Sequence, residues 1–150
     1  MTDFILSNTD RHYNNFGFLY HPQLHRLVKM APVFDTGNSL FYNKEIIPQG
    51  SNLLDVTVNS FKKKEVSLLE YVSKSDLVGI GKLESFPKEV YNLLTCNTDM
   101  PDERAKSISG TVQQKLEYLK LFQQGKKIWK KENRFLIRQL RIITIKHAEW

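Results

Sequence analysis

The first forty residues set two polar turns on either side of a short hairpin, and that arrangement limits the fold more than anything after it. From Ser7 to Asn15 the chain is almost wholly polar (Ser7, Asn8, Thr9, Asp10, Arg11, His12, Asn14, Asn15), as an exposed hydrogen-bonding loop requires. Phe16-Gly17-Phe18-Leu19-Tyr20 then reads as a strand, His21 to Arg26 as a turn, and Leu27-Val28-Lys29-Met30 as the return strand. Ala31-Pro32-Val33-Phe34 leads into Asp35-Thr36-Gly37-Asn38, a second polar turn whose glycine permits a positive φ. Upstream, Asp3-Phe4-Ile5-Leu6 reads as the last turn of an apolar helix, so the expectation is a truncated start or a segment missing before it.

Beyond the second turn the pattern becomes helical. Residues 39–59 carry little periodicity, and Pro48, Gly50 and the asparagines mark an irregular stretch. Phe61, Val66, Leu68, Leu69 and Val72 fall near one face of a helix that Ser60 can cap. A second helix starts at Pro87 and runs through Leu93 and Leu94. The third is the clearest: Pro101, acidic Asp102 and Glu103 in the first turn, then Ala105, Ile108, Val112, Leu116, Leu119 and Phe122, with Gly125 as its stop. A last helix is expected over Ile128–Lys146. The fold class is therefore α+β and mostly helical, with the polar turns carried on a small β element.

One domain of 150 residues with 41% apolar and 25% charged residues can bury a core, which excludes disorder and repeat architectures. No segment has the uninterrupted apolar length of a membrane helix, and Met1-Thr2-Asp3 lacks a signal-peptide pattern, so no membrane and a cytoplasmic location are expected. The single cysteine, Cys96, can form neither an internal disulfide nor a thiolate cluster and reads as a small buried apolar residue. The net charge of +6 is unevenly placed: residues 1–100 hold 10 Lys/Arg against 11 Asp/Glu, and residues 101–150 hold 12 against 5. The basicity belongs to the tail.

Phosphoryl transfer from a nucleotide needs a carboxylate to accept the hydroxyl proton, further oxygen ligands for Mg²⁺, and a frame that aligns them. Asp10 is followed by Asn15 at a five-residue offset, then by a hairpin, then by Asp35 with Gly37 close behind. The base and one metal ligand can converge from the two ends of one loop while the hairpin returns Asp35 opposite them. One Asn oxygen and one carboxylate suffice for Mg²⁺ when phosphate and water complete its octahedron.

Asn8-Thr9-Asp10-Arg11-His12-Tyr13-Asn14-Asn15-Phe16-Gly17 resembles the catalytic loop of the HipA-like serine/threonine kinases, and Leu27 to Asp35 resembles their metal-binding segment. The resemblance implies that Asp10 is the catalytic base, that Arg11 and His12 brace the loop or contact phosphate, and that Asn15 and Asp35 hold Mg²⁺. Gly37 belongs to the same nucleotide-facing turn. It implies ATP and a protein substrate as partners. It covers residues 1–125 as a kinase C-terminal lobe, with 126–150 as an added basic helix. The phosphate-covering glycine loop and lysine of an N-terminal lobe are not among these residues, so weak or no activity is expected of this chain alone.

Other readings compete. Phe34-Asp35-Thr36-Gly37 resembles an aspartic-protease signature, but such proteases are almost wholly β. Asp10-Arg11-His12-x-x-Asn15 is also similar to the catalytic loop of phosphoinositide-type lipid kinases. His12, His21 and His25 with Asp10 give a zinc reading without helical ligand spacing. Lys62-Lys63-Lys64 reads as a solvated surface at the start of a helix. Lys127, Lys131, Arg134, Arg138 and Arg141 recur at three or four residues, which keeps open a non-catalytic remnant that meets an antitoxin-like or DNA-associated partner through its tail.

Overall fold

The computed structural model describes residues 1–96 and 99–130. They form an α+β structure in which one long helix organises several irregular segments. The chain begins with α1 (Thr2–Leu6), which ends where Ser7 turns left-handed at φ 54°. Its Phe4 and Ile5 are buried, which gives this short helix a reason to form.

β1 (Phe18–His21) and β2 (Arg26–Met30) pair antiparallel, with Phe18 opposite Met30 and a bulge between Leu19 and Tyr20. The strands fall within two residues of the expected ones. Every residue of both strands is exposed, so the hairpin stands off the core and serves mainly to carry the chain from Asn15 round to Asp35.

α2 (Phe86–Thr95) has Pro87 in its first turn, where a missing N–H costs nothing, as the sequence predicts. Cys96 lies just past its last turn and is exposed, not buried, because the helix turns that end toward solvent. α3 (Asp102–Gln123) follows the expected boundaries and buries Ile108, Val112, Leu116, Leu119 and Phe122 against Phe4, Leu53, Leu54, Val66 and Leu69. Gly125 beyond it is left-handed at φ 82°, and among the described residues nothing lies within 4 Å of where its Cβ would be. Gly125→Ala should therefore lose about 1 kcal/mol through backbone strain alone, measurable as a shifted urea midpoint at constant m-value.

Polar side chains of α3 satisfy backbone groups in the irregular segments, which is how those segments fold without regular structure. Arg104 donates to the carbonyls of Phe41, Tyr42 and Lys44, Gln114 accepts from the Gly50 N–H, and Gln123 donates to the carbonyls of Ser75 and Val78.

The expected helix at 60–72 is absent. Its backbone is engaged elsewhere: Val58 N–H donates to Lys63 O, Glu65 N–H to Val56 O, and Thr57 faces Lys64 across a bridge. Only Glu65–Tyr71 coils, as a tight 3₁₀ segment, so Lys62-Lys63-Lys64 precedes it in a loop. Phe61 turns instead to Tyr13 and Phe16, with ring centroids 4.8 and 5.7 Å away. Ile128–Lys130 form a turn and bend, and the rest of the expected basic helix lies outside the described residues. No helix among the described residues is long and apolar enough to cross a membrane.

Candidate functional site

The polar loop is shaped by its own side chains. Asn8 is buried, accepts from the Asp10 N–H through Oδ1 at 3.1 Å, and donates to Asp3 Oδ1 at 3.1 Å and to the Asp35 carbonyl at 3.4 Å. That turn is the use of asparagine its sequence position calls for. The backbone of Thr9 is held on both sides: its N–H donates to Asn38 O at 3.1 Å, and its carbonyl accepts from the Asn59 N–H at 2.7 Å.

Arg11 fastens the two polar turns together. Only 3% exposed, it donates to the Asp3 carboxylate from Nε and Nη2, and from Nη1 to the carbonyls of Asn15 at 3.1 Å and Phe34 at 2.7 Å. All three guanidinium nitrogens are engaged within the protein. Of the two roles the resemblance implies for Arg11, bracing is the one this geometry performs. His12 is half-buried, with Nε2 4.0 Å from Asp10 Oδ2, too far for a direct hydrogen bond.

Asp10 arrives oriented. Its Oδ2 accepts from Asn38 Nδ2 at 3.0 Å and its Oδ1 from Asn59 Nδ2 at 2.9 Å. Each carboxylate oxygen keeps a further lone pair for another donor. Asn15 is buried, and its Nδ2 donates to the Asp10 carbonyl at 2.9 Å, which leaves its oxygen as the remaining acceptor. Asp35 is exposed and left-handed at φ 54°. The expected positive φ of this turn therefore falls on Asp35 and not on Gly37, which is outside the left-handed region. Aspartate tolerates this conformation better than most side chains because its short polar group can hydrogen-bond locally.

The backbones of the loop with Asp10 and Asn15 and of the turn with Asp35 are thus tied together through Asn8, Asn15 and Arg11, and Gly37 lies in the same turn two residues beyond Asp35. Next to Thr9 and Asn59, which flank Asp10, lies an open groove of about 530 Å³ that Lys44, Pro48, Asp55 and Thr57 also line; Asp10, Asn15 and Asp35 do not line it. Asn38 and Asn59 hold the Asp10 carboxylate without having been singled out from sequence. Asn38 stood in the second polar turn; Asn59 carried no signal, because only the 56–65 ladder brings it here. Among the described residues no group of three His, Cys, Asp or Glu comes together as a metal cluster. The one sheet among the described residues has two strands, which is not the largely β architecture of an aspartic protease.

Behind the site Lys115 of α3 is fully buried. Its Nζ donates to Glu65 Oε2 at 2.5 Å and Ser7 Oγ at 2.6 Å, and stands 4.9 and 5.6 Å from the ring centroids of Phe4 and Phe41. Burial pushes the Glu65 carboxyl up to about 7, against the pull of Lys115, and the same burial pushes Lys115 down. Among the described residues Glu65 Oε1 has no hydrogen-bond partner.

No protein-family model, curated protein or solved structure matches this chain.

Proposed function

We propose that the chain is the C-terminal lobe of a HipA-like kinase, acting in Mg-ATP-dependent phosphoryl transfer to a protein Ser/Thr hydroxyl. The observation that supports this reading best is the joining of Asp10, Asn15 and the Asp35 turn through Asn8 and the Arg11 fork. An ordinary surface loop needs no buried arginine to tie the backbone of the loop that carries Asp10 and Asn15 to the backbone of the turn that carries Asp35.

The donor set fits Mg²⁺, a hard cation that takes oxygen ligands and leaves positions for phosphate and water. Asn15 and Asp35 would hold it, and it would supply charge neutralisation on the ATP phosphates. Asp10, fixed by Asn38 and Asn59, accepts the proton of a hydroxyl entering from the groove beside Thr9. Arg11 keeps the two turns at constant separation. Rigid alignment is what this chemistry asks of a protein.

Without a glycine-rich phosphate-covering segment in residues 1–150, Mg-ATP should bind weakly, near −4 kcal/mol or about millimolar by titration calorimetry. Asp35→Ala should abolish that heat. Heat that survives the substitution unchanged contradicts the assignment of Asp35, and tight binding contradicts the expectation of half a cleft.

A further inference from the structure

Three segments supply the groups around the Asp10 carboxylate, and one buried ammonium touches all three. The loop after α1 carries Asp10 itself and begins at Ser7, the stretch at 38–41 carries Asn38, and the ladder at 56–65 carries Asn59. Lys115 meets the first at Ser7 Oγ, the second at the Phe41 ring and the third at Glu65. These contacts span 108 residues of sequence to Ser7 and 50 to Glu65.

We propose that Lys115 is a positioning residue, which through Ser7 and Glu65 fixes the loop that presents Asp10. Ser7 is where the chain leaves α1 in a left-handed turn that serine does not favour, at φ 54°. Locally the Ser7 and Asn8 N–H groups close the turn on the Asp3 carbonyl, and two long-range bonds tie it to the rest of the chain: Leu40 N–H to the Leu6 carbonyl, and Lys115 to the Ser7 hydroxyl. The three positions after Ser7 are the ones that form the Asx turn and the Asn38 and Asn59 bonds. Space-filling alone does not account for the charges here, since apolar side chains of similar volume in place of both Lys115 and Glu65 fill the space without burying two ionisable groups or stranding Glu65 Oε1. The role of the loop in catalysis rests on the proposed function; the mechanical link does not.

The experiment is amide hydrogen exchange by NMR on the full chain, comparing the parent with Ser7→Ala and with Lys115→Met/Glu65→Leu. Ser7→Ala removes only the hydroxyl that Lys115 holds, and the double variant removes both buried charges together. Positioning predicts about tenfold faster exchange at the amides of Asn8, Thr9 and Asp10, with α3 amides at parental rates. Parental rates at those three amides in Ser7→Ala overturn the proposal, whatever the double variant does. Faster exchange spread evenly over the loop and α3 also overturns it, because the contact is then general packing. Since no nucleotide is present, a failure here is distinct from a failure of the kinase reading, which the calorimetry addresses.

Discussion

Lys115→Met is expected to remove about 3–5 kcal/mol from the stability of the chain, a large part of the 5–15 kcal/mol a domain of this size holds. The mechanism is an uncompensated buried carboxyl. With Lys115 gone, Glu65 loses its hydrogen-bonded cation while staying fully buried, and it must take up a proton in order to remain there. The penalty should therefore depend on pH with a definite sign. An unfolded Glu65 titrates at its ordinary 4.5, and in the folded chain burial already raises it to about 7. The folded state holds a proton that the unfolded state has released, so the contribution of Glu65 is fully present below 4.5 and is lost as pH rises through about 7. Without Lys115 the carboxyl rises further and the loss continues to higher pH, at up to about 1.4 kcal/mol per pH unit. Adding Glu65→Leu should reverse the effect. The double variant is expected to be as stable as the parent or more so, with the slope between 4.5 and 7 gone. Urea unfolding at several pH values measures all of this, and a Lys115→Met penalty that does not change with pH contradicts it.

Arg11→Met should cost about 3 kcal/mol and also disconnect the candidate site. Removing the guanidinium leaves the carbonyls of Asn15 and Phe34 without donors and Asp3 without its forked partner. The Asp3 side chain is 26% exposed, so water recovers part of that loss, which keeps the estimate below that for Lys115. Arg11→Lys should lose most of the same amount, because one ammonium cannot serve a carboxylate and two carbonyls in a plane. Thermal unfolding checks the stability, and the heat of Mg-ATP binding should fall with it. A stable Arg11→Lys protein with parental Mg-ATP heat would remove Arg11 from its bracing role.

The parts of the fold that could be read from sequence are those where punctuation and period agree. Pro87, Pro101 and Gly125 bound two helices, and apolar spacing fills α3 between them. At 60–72 the apolar residues kept a helical period, but the backbone was claimed by pairing between 56–58 and 63–65, which local pattern does not register. Within α3 the sequence carries one further signal. Ile108, Val112, Lys115, Leu119 and Phe122 alternate at four and three residues, so Lys115 occupies a core position of the repeat. A lysine at such a position points to a buried partner somewhere in the chain, and only the tertiary fold shows that it is Glu65 and Ser7.

The candidate site divides in the same way. Asp10, Asn15 and Asp35 can be proposed from sequence because their spacing lies within one loop–hairpin–turn unit. Asn59 cannot, because it reaches Asp10 across 49 residues. Gly37 misled for a local reason: glycine is the residue expected to turn left-handed, yet Asp35 takes that conformation while Asn8 and Arg11 hold its own and the preceding carbonyl.

Manganese in place of magnesium, titrated with ATP into isotopically labelled chain, reports the metal ligands directly through paramagnetic broadening, even when binding is weak. The predicted result is ATP-dependent loss of the Asn15 and Asp35 resonances first, then that of Asp10, with α3 unaffected. Broadening that requires no ATP, or that centres on the exposed acids Asp102 and Glu103 at the start of α3, would contradict a phosphoryl-transfer site at Asp10, Asn15 and Asp35.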